Sequence, residues 1–251
     1  MKALIISDIH ANIHALRAIE KVETWDTVYC CGDLTDYGPF PMEVIAWMKE
    51  HDAHVVCGNH DIHVMTMSDE ACAEARRGYV WKWCHDNWEK MDQSAKAYLS
   101  ALPTVLQFEM DGIEYQMQHQ YDQRYGTVES EAQFNAFWKN AKDDHQQRRL
   151  LFGHSHRRCI HVLREDMMWI NPGSVSYRRP DDPDKRAHYM IIEDGDIRFG
   201  AVSYDRSPLL NVAKKYQLRG YMLETELQDA YFFFGDAPTS RSPLPMITEI
   251  G

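Results

Sequence analysis

Two short strings in this 251-residue chain carry paired donors: Ser7-Asp8-Ile9-His10 near the start and Gly153-His154-Ser155-His156 past the middle. Between them lie Gly32-Asp33-Leu34-Thr35-Asp36, Gly58-Asn59-His60-Asp61 and His119. Asp8, His10, Asp33, Asn59, His119, His154 and His156 together offer carboxylate, imidazole and amide donors, enough for two divalent ions that share a carboxylate. Asp8 and His10 can serve one ion, and Asp33 has two oxygens with which to bridge. Asn59 adds a neutral carbonyl oxygen. His154 and His156, two residues apart, can approach the two ions separately from an extended loop. Two divalent ions outweigh two aspartates, so the centre keeps a net positive charge. Such a charge eases deprotonation of water and attracts a phosphoryl oxygen.

Elements must bring these strings together. Residues 2–7 read as a buried parallel strand, with Asp8 starting the loop at its carboxyl end. Asn12 can cap a following helix that turns Leu16 and Ile19 inward. Val28–Cys31 reads as a second strand ending at Gly32-Asp33, and Pro41 opens a helix with Val44, Ile45, Trp47 and Met48 at helical spacing. His54–Cys57 is a third strand, ending at Gly58-Asn59-His60. Ligand sites of parallel sheets form at the carboxyl ends of strands, so dispersed motifs converge there.

Residues 61–102 read as two or three helices, with Trp81, Trp83 and Trp88 in a core. Strands follow at 105–110 and 113–119 across an Asp111-Gly112 turn, then a helix over 129–141 and a strand over 149–152 that ends at the second histidine pair. Short strands near 160–163, 168–170 and 187–192 precede a turn at Asp194-Gly195. Beyond Asp205, helices are expected at 211–218 and 224–231, with Phe232–Phe234 and the tail packing back on the domain. His14, His51, His54, His63, His85, His161 and His188 carry no motif and read as structural or exposed. Asn171-Pro172-Gly173-Ser174 reads equally as a tight turn or as an approach to the site. Arg157, Arg158, Arg178 and Arg179 are candidates to contact a phosphate.

The formal charge of −11 disfavours coating of nucleic acid or anionic membrane, while a local cationic centre can still hold one phosphate. Neither a basic stripe nor basic–aromatic interleaving is present, so extended nucleic-acid binding is not expected. The apolar run 3–6 is far too short for a signal or spanning segment, and no later run reaches spanning length. The six cysteines lack metal-site or secreted-scaffold spacing and read as reduced core residues of a cytoplasmic protein.

The blocks Asp8-Ile9-His10, Gly32-Asp33 with Asp36, Gly58-Asn59-His60-Asp61 and Gly153-His154-Ser155-His156 resemble, in order, the signature of the calcineurin-like metallophosphoesterase superfamily. Residues 36–41 and Asn171–Val175 further resemble its small bacterial and archaeal phosphodiesterase branch, and the likeness runs over about residues 1–205. The resemblance implies an α/β fold, a two-sheet β-sandwich flanked by helices in four layers, with a helical cap insertion at about 62–102. Residues 206–251 would be a C-terminal helical extension. It implies that Asp8, His10 and His156 hold one ion, Asp33 bridges, and Asn59, His119 and His154 hold the other. His60 would be the general acid on the leaving oxygen, oriented by Asp36. Two positions depart from the pattern: Ala11 replaces a common glycine, and Gln120 follows His119 where glycine is usual. His145 is the fallback for His119.

The implied reaction is hydrolysis of a phosphodiester in a small, nucleotide-like substrate, with hydroxide activated by the ions attacking phosphorus. The ions are two of Mn, Fe, Zn, Co or Ni. Tyr37 stands where protein phosphatases of the superfamily carry arginine, and Asp61 replaces glutamate; both favour a diesterase over the alternative of a phosphomonoesterase or protein phosphatase. A non-catalytic interaction module on the same fold is the rival from another class. A homo-oligomer is left open, and no membrane partner is expected.

Overall fold

The computed structural model describes residues 1–121, 126–138, 147–177, 179–220 and 222–247. One sheet is built from β1 (Lys2–Ile6), β2 (Thr27–Cys30), β3 (His54–Val55), β9 (Ala187–Glu193) and β10 (Asp196–Val202), in the order β10-β9-β1-β2-β3. Within it β1, β2 and β3 run parallel, and β9 and β10 close one side antiparallel. The other comprises β4 (Val105–Met110), β5 (Ile113–Gln118), β6 (Gln147–Leu151), β7 (Arg158–Arg164) and β8 (Met167–Pro172), in the order β4-β5-β6-β8-β7.

Alternation along β1 explains why the sheets stack. Successive side chains point to opposite faces, so Ala3 and Ile5 join Tyr29, Met190 and Ile192 against Tyr115, Met117, Leu151 and Ile170 of the second sheet. Leu4 and Ile6 face outward onto α1 (Ile13–Glu20) and α2 (Pro41–Glu50), through Leu16, Ile19, Val44 and Met48. A strand covered on both faces is apolar throughout, as Ala3–Ile6 are. The outer face of the second sheet packs Phe152, Met167 and Trp169 against Phe134 and Trp138. Phe134 lies on α7 (Glu131–Ala136), shorter than the expected 129–141; its tail, His145 and Arg178 lie outside the described residues.

Residues 59–100 form four helices, not two or three: α3 (Asn59–Met65), α4 (Asp69–Arg77), α5 (Trp83–Lys90) and α6 (Gln93–Ser100). Ser68 and Asp92 cap α4 and α6 through their side-chain oxygens. The chain then closes with α8 (Ser207–Arg219) and α9 (Glu224–Phe233). Leu209 and Tyr216 of α8, Leu227 of α9 and the Phe234 that follows it pack on Trp81 and Trp83, both 1 % exposed, while Trp88 is only partly buried. The six cysteines are free thiols, four of them buried. No helix among the described residues is long and apolar enough to cross a membrane.

Candidate metal centre and active site

The loops after β1 and β2 are zipped together by their backbones. Asp8 N donates to Gly32 O at 3.0 Å, Ile9 N and His10 N donate to Asp33 O at 2.8 and 3.0 Å, and Ala11 N donates to Leu34 O at 2.8 Å. The zip demands left-handed backbone at Asp8, His10, Ala11, Asp33, Asp36 and Tyr37, with φ between 47° and 70°. His154 and His156 share that conformation, at φ 62° and 58°. Non-glycine residues there are uncommon, and such strain concentrates at functional sites.

The loops at the ends of β1, β2, β3, β5 and β6 bring the seven predicted donors to one place. His156 Nε2 lies 3.1 Å from Asp8 Oδ1, and His119 Nε2 lies 3.1 Å from Asp33 Oδ2. His10 Nε2 is 3.9 Å from Asp33 Oδ2, and Asn59 Oδ1 is 3.0 Å from His119 Nε2. His154 joins through its ring, 5.2 Å from that of His119. Asp8, His10 and His156 offer atoms within 4.8 Å of one another, as do Asp8, Asp33 and His119.

Three imidazoles are aimed alike. Nδ1 of His10, His119 and His156 meets a backbone carbonyl, of Thr35 at 3.2 Å, Cys31 at 2.7 Å and Tyr177 at 3.1 Å. A carbonyl only accepts, so Nδ1 carries the proton in each bond and Nε2 is turned to the cluster, as in a histidine set to ligate a metal. Asp8 Oδ2 and His10 Nε2 are buried with no hydrogen-bond partner, and Asp33 Oδ2, equally buried, meets only the His119 ring. Buried polar atoms are seldom left so, and a carboxylate oxygen and an imidazole nitrogen without partners fit a bound cation.

The charges agree. Burial would raise both carboxyls, but His156 holds Asp8 down to about 2 and His119 holds Asp33 well below the usual range. Burial pushes His10 down to about 3 and, with His119, pushes His154 down to about 4, so both rings are neutral donors near pH 7. His119 is different: burial lowers it, yet Asp33 overrides that and raises it to about 9. A cation would therefore compete with a proton for its Nε2.

His60 lies beside the cluster without entering either group. Its Nδ1 is 2.9 Å from Asp36 Oδ2. Burial disfavours the imidazolium, but that bond together with the Asp33 and Asp36 charges raises His60 to about 9. The ring thus carries a proton at neutral pH, with Nδ1 anchored and Nε2 left for the cleft. His63, read from sequence as structural or exposed, meets the same Asp36 oxygen at 3.4 Å and forms a third group with Asp36 and His60. The cleft itself, about 220 Å³, is lined by Tyr37, Asn59, His60, His154, His156, Tyr177 and Arg179.

Several residues support the site in roles that the motifs, where they include them, did not assign. Asp61 is fully buried and accepts from Asp33 N, Thr35 N, Thr35 Oγ1 and Gly58 N, at 2.9–3.0 Å. One carboxylate so pins the Asp33 loop to the start of α3. Asn171 Nδ2 donates to Gly153 O at 2.6 Å and Ser155 Oγ at 3.0 Å, and Ser174 Oγ donates to Asp8 O at 3.0 Å. The Asn171–Ser174 turn therefore buckles the two histidine loops together. Tyr177 packs its ring 4.9 Å from His10 and 4.8 Å from His156, and Phe233 of α9 backs it at 4.1 Å. Close packing excludes side chains elsewhere: a Cβ on Gly58 would lie 2.0 Å from Asp33 Oδ1, and one on Gly153 1.9 Å from Ser7 Oγ.

Two facing mixed sheets, with Asp/His loops gathered at one end, are the architecture of the metallophosphoesterases. A metallophosphoesterase from Sphaerobacter thermophilus superposes with a TM-score of 0.68 at 22 % identity, covering 93 % of this chain and 100 % of that one. A hypothetical protein from Pyrococcus horikoshii OT3 does so at 0.70 and 18 %, covering 92 % and 98 %. Residues 1–194 match the calcineurin-like phosphoesterase superfamily domain, and the chain belongs to that family. An uncharacterised protein of Methanocaldococcus jannaschii is 26 % identical over 221 residues, 80 % of this chain and 87 % of that protein. A symmetrical bis(5'-nucleosyl)-tetraphosphatase of Chromobacterium violaceum is 39 % identical over 56 residues, only 22 % of this chain and 20 % of that enzyme.

Proposed function

We propose that the chain hydrolyses a phosphodiester of a small nucleotide-like substrate at a dinuclear metal centre. The observation that carries the reading is the convergence of three Nδ1-anchored histidines on two buried carboxylates, that of Asp8 with an unpartnered oxygen, beside a protonated imidazole in a cleft. In this reading Asp8, His10 and His156 hold one ion, Asp33 is shared, and Asn59, His119 and His154 hold the second. Bound divalent ions would supply charge for the phosphoryl oxygens and acidify water. The chain's own residues do the rest. His60 delivers the Nε2 proton to the leaving oxygen, and Asp36 fixes the ring through Nδ1 and stabilises its charge. Tyr37 and Tyr177 wall the cleft around His10 and His60.

Among the described residues lining the cleft, Arg179 is the one arginine, and its Nε is engaged by Ser155 O at 3.0 Å. A monoester dianion is usually gripped by bidentate arginines, so this lining favours the less charged diester. The locally similar tetraphosphatase adds dinucleoside polyphosphates to the candidate substrates. Residues 62–102 would cap a catalytic domain spanning 1–205, and 206–251 would extend it.

The test is hydrolysis of bis(4-nitrophenyl) phosphate beside 4-nitrophenyl phosphate by chelator-stripped protein, with each of Mn, Fe, Zn, Co and Ni restored. Metal-dependent turnover favouring the diester is expected. His60→Ala should lower it about 10²–10⁴-fold, the usual span for a general acid, with metal content unchanged. Monoester preference would make the protein a phosphatase, and silence with every metal would make it a binding module.

A further inference from the structure

His60 has a second side. Its ring lines the cleft, whereas Asp36 and His63 do not, so its Nδ1 edge meets a group of donors outside the cleft lining. Asp36, His60 and His63 each offer one ligand atom there, all within 4.8 Å of one another. None of the three belongs to the Asp8–His10–His156 or the Asp8–Asp33–His119 group. We propose that they form a third metal site, which takes zinc, and that an ion bound there switches off hydrolysis by occupying His60 Nδ1. The inhibitory part rests on the phosphoesterase reading above.

The donors are already arranged around one point. His60 and His63 lie three positions apart on α3, so their side chains are neighbours on one face, with ring centroids 6.5 Å apart at 73°. Asp36 reaches them from the loop after β2. Its Oδ1 accepts from Tyr37 N at 2.8 Å, which turns Oδ2 towards the rings. Oδ2 is 2.9 Å from His60 Nδ1 and 3.4 Å from His63 Nδ1. Ligand atoms on a tetrahedral zinc ion, each about 2.0–2.1 Å from it, stand about 3.3–3.4 Å apart. A small widening of the His60 contact therefore admits the ion. The Asp36 side chain is 6 % exposed and that of His63 49 %, which leaves an entry from solvent and room for water as a fourth ligand.

Two imidazoles and one carboxylate suit zinc better than manganese, which prefers oxygen. Without the ion, a carboxylate can only accept, so His60 Nδ1 carries the proton in its bond to Asp36. On binding, zinc forms bonds to both Nδ1 atoms and to Asp36 Oδ2. His60 gives its Nδ1 proton to water, and any proton on His63 Nδ1 passes to water or to its own Nε2. This competition with the proton makes the site weaker than the main centre, so it fills only at excess zinc. His60 keeps its Nε2 proton but becomes a neutral, zinc-bound imidazole, a much weaker acid than the imidazolium. The leaving oxygen then lacks its proton donor while the cleft lining is unchanged. kcat should therefore fall without a rise in KM.

Equilibrium dialysis of wild type and His63→Ala against zinc, with bound ion counted by elemental analysis, tests the site. The half-exposed His63 ring can be removed without opening the core. Wild type should hold one zinc ion more per chain than His63→Ala, and equal counts overturn the site. Inhibition is read with bis(4-nitrophenyl) phosphate on protein restored with an ion that gives turnover, as excess zinc is added. Each variant is compared with its own turnover before that addition. Wild type should lose at least about 10-fold in kcat with KM held, and His63→Ala less than about 2-fold. Equal losses in the two variants put the effect at the dinuclear centre and overturn the inhibition, as does a loss carried by KM. An extra zinc ion in wild type with turnover unchanged overturns the inhibition and keeps the site. If no ion restores hydrolysis, the phosphoesterase reading fails, and the zinc count alone still decides the third site.

Discussion

Glu226, on α9, offers a sharp test of how the C-terminal helices meet the site. Its Oε2 accepts from Trp83 N at 3.3 Å. Burial, aided by the Asp36 charge, raises its carboxyl from 4.5 to about 7. An unfolded chain ionises this group near 4.5 while the folded chain keeps its proton to about 7. Below 4.5 both states hold the proton and the stabilising contribution is complete. As pH rises the unfolded state sheds it first, so stability falls, and the loss is finished above about 7. At 1.36 kcal/mol per pH unit the full interval is worth about 3 kcal/mol, of which about 2 kcal/mol falls between pH 5 and 8.5. Glu226→Gln keeps an acceptor for Trp83 N and cannot ionise. Its thermal midpoint relative to wild type should therefore climb by about 4–8 °C from pH 5 to pH 8.5, using 2–4 °C per kcal/mol for a chain of this size. Melts would be run with chelator, so that pH-linked ion binding does not enter. A gap between the two proteins that stays constant across that range would refute the reasoning.

Asn171→Ala should destabilise the chain by about 2–4 kcal/mol, since it removes the side-chain bonds to Gly153 O and Ser155 Oγ and the acceptor of buried Gly173 N; urea unfolding measures it, and a change below about 0.5 kcal/mol would contradict the buckle. Gly58→Ala places a methyl against Asp33 Oδ1 and should lower bound metal, read by elemental analysis, even where the fold survives. Asp61→Ala strips four donors of their acceptor and should destabilise by about 3–5 kcal/mol, seen as a lowered urea midpoint. Chelation should lower the melting temperature, with the decrement restored by ion in a concentration-dependent way; a midpoint indifferent to added ion would count against the centre.

The sequence was most readable where one short segment carries its own meaning. Asn12 does cap α1, accepting from Ala15 N at 3.2 Å, Pro41 does open α2, and the donor strings lie at strand ends because a strand signal immediately precedes each. Residues 59–100 were less readable, because helices of seven to nine residues are too short for periodicity to separate. Ser68 and Asp92, which cap two of them, are the local signals that separate them. What no local pattern could reveal was partnership over distance. Asp61 looks like one more acid in a motif until its four donors are seen, and Ser174 reaches an oxygen 166 positions away. Tyr177 and Phe233 carry no chemical signature; only the return of α9 to the cleft puts one ring on the other. His63 differs from the other unassigned histidines only in facing Asp36.

The left-handed residues of the zipped loops invert the usual effect of glycine. Elsewhere glycine loosens a chain, but each non-glycine residue held at such angles costs about 1–2 kcal/mol. Replacement of His10, Ala11, Asp33, Asp36, Tyr37, His154 or His156 by glycine would relieve that strain while deleting a side chain. A glycine scan scored separately for melting temperature and for turnover would therefore split these positions from the rest of the chain. The site would appear as the place where the two scores part company, drawn by backbone geometry alone.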